Sequence, residues 1–87
     1  MNFMKDRIEK GIKEFNNLRA PEANASLISF RGKILKVKFT GPFCLGCGIY
    51  DYFEDLKVFL EEQKVKTKIE SVREIEDGFI VKFKVIE

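Results

Sequence analysis

Cys44 and Cys47 are the residues best equipped for chemistry. They lie in the stretch FTGPFCLGCGIYDYF, residues 39–53, and are the only cysteines in a chain without histidine. Two thiols in a Cys-x-x-Cys can hold a metal, cycle between dithiol and disulfide, or pack as small apolar side chains. A zinc site takes four ligands and an iron–sulfur cluster four thiolates. One chain therefore supplies half a site, with carboxylates as weak substitutes for zinc, and a symmetric pair of chains supplies all four sulfurs. Gly41, Gly46 and Gly48 let the backbone turn around the thiols, and Pro42 breaks the preceding strand. Asp51, Glu54 and Asp55 follow closely. If they face the sulfurs they oppose a reactive thiolate, whereas a bound cation tolerates them.

The elements around this loop follow from periodicity. Apolar residues at Met4, Ile8, Ile12, Phe15 and Leu18 predict a helix over 3–19, weakened near its middle by Gly11 by ~1 kcal/mol. Strands are expected over 24–30 and 33–40, with Arg31-Gly32 as the hairpin turn. Ile49, Tyr52, Phe53, Leu56, Phe59 and Leu60 predict a second helix over 48–63. Two further strands, 66–75 and 79–86, are joined at Asp77-Gly78. The order α-β-β-α-β-β implies an α+β, two-layer sandwich, with two helices on one face of a four-stranded antiparallel sheet. A thioredoxin-like protein instead places its Cys-x-x-Cys after the first strand of a βαβ unit and faces it with a proline, and no proline follows Pro42 here.

The 87 residues are expected to form one domain, 1–87. At 45 % hydrophobic and 34 % charged, the composition is that of a folded chain. The start carries no apolar signal segment and no run approaches a membrane span, so the expected location is the cytoplasm, where thiols are mostly reduced. Abundant Lys, Glu and Ile, with no Trp and a single Gln, lean toward a thermophile. No Ser-His-Asp set or paired acid–base constellation is present, so no catalytic residue is expected. Enzyme activity enters only if the thiols act as a redox pair.

Residues Lys36-Val37-Lys38-Phe39-Thr40-Gly41, Cys44-Leu45-Gly46-Cys47 and the Arg19-Ala20-Pro21 turn resemble the NifU C-terminal (Nfu-type) iron–sulfur assembly domain over roughly residues 3–75. The resemblance implies a [4Fe-4S] cluster held by Cys44 and Cys47, bridged across a homodimer and passed to acceptor apo-proteins. Zinc is the alternative metal. The sequence differs from the family pattern in having two residues, Pro42 and Phe43, between its glycine and first cysteine, and Gly48 after the second.

Two other features bear on partners. Tyr50 falls off the apolar stripe of the second helix, and Phe43 sits beside the first thiol. Each is a candidate partner contact or a local lid. Lys36, Lys38, Lys66, Lys68, Lys82 and Lys84 mostly point away from the apolar side of their strands. They can meet RNA or an acidic protein, but without aromatics or a Gly-x-x-Gly clamp a solvated face is the plainer expectation, and nucleic acid is not expected.

Overall fold

The computed structural model describes residues 3–19, 22–41 and 49–86. The element order is α1 (Phe3–Arg19), β1 (Asn24–Arg31), β2 (Ile34–Thr40), α2 (Ile49–Glu62), β3 (Thr67–Ile75) and β4 (Gly78–Val85). The strands form one antiparallel sheet in the order β1-β2-β4-β3. The central strands β2 and β4 pair although α2 and β3 lie between them in sequence. Both helices cover one sheet face, α1 over β1 and α2 over β3, and they pack on each other. The expected α+β sandwich is thus the observed fold.

The core lies between these layers. Ile8, Ile12 and Phe15 of α1 meet Phe53, Leu56 and Leu60 of α2 above Leu35, Val37, Phe39, Val81 and Phe83 of the central strands, and all are buried. Each such side chain contributes roughly 1.5–3 kcal/mol by leaving water. Phe39 is the hub, with its ring centroid 4.8 Å from Phe53, 5.8 Å from Phe15 and 6.4 Å from Phe83. The apolar stripe expected on α1 stops short, because Leu18 is 64 % exposed. The last turn of α1 instead directs Arg19 toward α2, where it pairs with Asp55.

Gly11 has a packing role as well as a propensity penalty. It is buried where α1 crosses α2, and a Cβ there would come within 2.9 Å of Leu60 Cδ2 and 3.4 Å of the Phe59 carbonyl oxygen. The missing side chain is what lets the helices approach. Asn16 then ties α1 to the sheet edge. Its side-chain amide donates to the Ala25 carbonyl at 2.9 Å, and its side-chain oxygen accepts from the Ala25 N–H at 2.7 Å. An edge strand that would otherwise expose both groups is closed at that point.

The chain reverses one position away from each expected hairpin centre. Arg31 pairs with Ile34, so the first loop is Gly32-Lys33, with Gly32 at φ 59°. Ile75 pairs with Gly78, so the second loop is Glu76-Asp77 and Gly78 opens β4. Glycine is required at position 78 for proximity rather than for turn geometry: a Cβ would lie 1.9 Å from the Phe39 carbonyl oxygen. At the end of α2, Lys64 takes φ 68°. The Val65 N–H bonds the Leu60 carbonyl and the Lys64 N–H bonds the Glu61 carbonyl, a Schellman closure with lysine in the place usually held by glycine.

Candidate metal site and its supports

Cys44 and Cys47, with Pro42, Phe43, Gly46 and Gly48, lie outside the described residues. Both ends of the connection that carries them are defined. It leaves the central strand β2 at Gly41 and enters α2 at Ile49. Gly41 has φ 127°, and a Cβ there would meet the Glu22 carbonyl oxygen at 2.4 Å. Only glycine fits both the angle and the space at position 41. The connection therefore starts tightly packed against the segment between α1 and β1. It finishes at the N-terminus of α2, where the first backbone N–H groups have no partner within the helix and favour negative charge.

A polar cluster braces this end of the molecule. Arg19, the last residue of α1, pairs with Asp55 in the second turn of α2. The Arg19 guanidinium also lies 5.5 Å from the centre of the Tyr52 ring. The Tyr52 phenol is held above its ordinary pKa, first by its hydrogen bond to Glu22, then by desolvation and the Glu22 charge. Residues from α1, the α1–β1 connection and α2 thus fix the start of α2 relative to the end of β2. Sequence reasoning missed this cluster. Its members are 36 residues apart in the Arg19–Asp55 case, and no local pattern links them.

Of the three acids that follow the thiols in sequence, two have cationic partners. Asp55 is paired with Arg19, and Glu54 lies 3.2 Å from Lys57 on its own helix. Only Asp51, exposed in the first turn of α2, is left without an ion pair among the described residues. Tyr50 is 55 % exposed at the start of α2, with its ring edge-on to Phe53 at 5.5 Å.

Among the described residues, no cluster of three or more His, Cys, Asp or Glu side chains could hold a metal, and no helix is long and apolar enough to cross a membrane. The fold and the flanks of the loop define an α+β sandwich with a cysteine-bearing connection between a central strand and the second helix. No protein-family model matches the chain, and no curated protein is similar to it.

Proposed function

We propose that this is a cytoplasmic carrier that holds an iron–sulfur cluster, or another thiophilic metal, through Cys44 and Cys47 of two copies and delivers it to acceptor proteins. The carrying observation is the anchoring of the connection: Gly41 is pinned against Glu22 at one end, and the N-terminus of α2 stands at the other. Such a loop can present two thiolates from a rigid base. The donor set supports sharing between chains, since two cysteines and no histidine make half of a four-ligand site. Exposed Tyr50 beside the loop offers a contact for the second copy. Anaerobic expression followed by metal analysis, visible absorption and native mass spectrometry tests this. The expected result is a metal-loaded dimer that becomes a metal-free monomer in Cys44→Ser. Wild type that stays monomeric and metal-free under every reconstitution condition rules the function out.

A dithiol–disulfide role for the same pair is the second reading: Glu54 and Asp55 each have a cation beside them, Lys57 and Arg19, which partly offsets acids that would disfavour a nearby thiolate. A Cys44 thiol titrating like a free one, together with no reduction of protein disulfides, counts against it.

A further inference from the structure

The uncovered face of the sheet carries a charge pattern unrelated to the cysteines. Lys36 of β2 lies directly opposite Lys82 of β4, and Lys84 of β4 directly opposite Lys68 of β3. Like charges in direct register destabilise a sheet. Two β-bulges add to the charge. In β1 the register slips at Ile28, and in β3 at Glu70. Without the slips, strand alternation would place Arg31 and Arg73 on the core side. With them, Arg31 lines up with Ile34 and Arg73 with Ile80, both on the open face. Lys38 completes the set and is the only one of these cations in an ion pair among the described residues, 3.7 Å from Asp77. The centre of the face is a depression of about 210 Å³ lined by Lys36, Arg73, Lys82, Ser71, Ile28 and Ile80.

We propose that this open face binds a single strand of nucleic acid through its phosphates, without reading the bases. Cations reach across all four strands, a span of roughly 15 Å at the usual strand spacing. That is a track for an extended polyanion rather than a socket for one small anion. Ser29 and Ser71 stand in the same rows as Lys36 and Lys82, so hydroxyl donors accompany the cations. Among the described residues, the strongly exposed aromatics, Phe3 and Tyr50, are on the helices, so this face itself offers no base stacking. A protein partner fits less well, because lysine is depleted from interface centres and here occupies the middle of the face. The opposite layer is less favourable to a polyanion, since α2 carries five acids, Asp51, Glu54, Asp55, Glu61 and Glu62, against Lys57 alone, and α1 beside it mixes five cations with three acids. Nucleic acid was not expected from the lysines alone. The two arginines delivered by the bulges and the unpaired lysine register are what change the balance.

Fluorescence anisotropy with a labelled, mixed-sequence RNA of about 20 nucleotides provides the test. Binding is expected at ~50 mM salt, with a log–log salt slope that loses about two units in Lys36→Gln/Arg73→Gln/Lys82→Gln, which should also bind at least ~10-fold more weakly. Circular dichroism confirms that the variant is folded. The matched control Arg7→Gln/Lys10→Gln/Lys13→Gln removes the same charge from exposed positions of α1 and should leave binding within ~3-fold. Cys44→Ser/Cys47→Ser should bind as wild type, which separates this face from the metal function. No binding at low salt, or equal losses in the face and control variants, overturns the proposal. So does polyglutamate competing as well as RNA, which would point to an acidic protein. Face-dependent binding to anionic vesicles but not to RNA would point to a membrane and overturn it equally.

Discussion

Along β2, Leu35, Val37 and Phe39 are fully buried beneath the helices, while Lys36 and Lys38 between them remain partly open on the other side. The same alternation divides β4 into Val81 and Phe83 against Lys82 and Lys84. One side of the sheet excludes water and gains stability from every side chain it places there. The other side stacks lysine against lysine and gains none from that register. A four-stranded sheet needs only one dry face to fold, so the second is free to follow a requirement other than folding. A neutral or mixed-charge pattern there would have been more stable, which makes the repeated cations informative about what the surface meets.

The sharpest way to break the comparison is to make one substitution on each side of the same strand. Phe39→Ala removes the ring shared by Phe15, Phe53 and Phe83 and should lower stability by ~3–5 kcal/mol. Lys38→Ala, one residue earlier, gives up only an exposed 3.7 Å ion pair and should change stability by less than ~1 kcal/mol. Urea denaturation of both variants checks this. Comparable losses would mean that the two faces do not divide the work as described.

Next in size is the edge of the dry layer. Asn16→Ala strips both side-chain bonds from Ala25 and should lower stability by ~1–3 kcal/mol. It should also raise the tendency of β1 to pair with another chain, visible as concentration-dependent light scattering. Unchanged scattering together with an unchanged urea midpoint would show that Asn16 does not guard the edge.

Gly11 is where helix propensity and packing oppose each other. Replacing a mid-helix glycine with alanine ordinarily gains ~1 kcal/mol. Here the new methyl would sit 2.9 Å from a Leu60 side chain that is itself fully buried, so overpacking of ~1–3 kcal/mol should reverse the sign. A net loss near ~1 kcal/mol in thermal or urea unfolding is expected. A net gain would show that the α1–α2 contact can relax.

How much of this could be read in the chain depends on the range of the cause. The helices and the alternation of β2 and β4 were legible, because apolar spacing along one element decides them. The bulges at Ile28 and Glu70 were not. Each depends on how a neighbouring strand is registered, and each reverses which side the following residues take, which is how Arg31 and Arg73 escaped notice. Lys66, counted with the open-face lysines, lies one residue before β3, its carbonyl accepting from the Ile86 N–H. The closure of α2 at Lys64 was hidden because no glycine marks it. Beside the candidate metal site, Gly41 was legible as the break that ends β2, while its contact with Glu22 and the bracing of α2 by Arg19 and Glu22 required the tertiary fold. Cys44 and Cys47, the thiols proposed to bind metal, were legible only as a sequence motif and lie outside the described residues.

The smallest expected effect is the most telling for the open face. Lys36 and Lys82 are directly opposed, so Lys36→Gln/Lys82→Gln should raise stability by ~0.2–1 kcal/mol at low salt. The gain should shrink as salt screens the repulsion in wild type, over a Debye length of about 10 Å at 0.1 M. Thermal unfolding of both proteins across a salt series reads this directly. The same double substitution should weaken RNA binding, so stability and affinity move in opposite directions, as they do where a surface is kept for its ligand rather than for the fold. If instead the variant is less stable at low salt, the two lysines are held by favourable contacts and the face needs no anion to explain it.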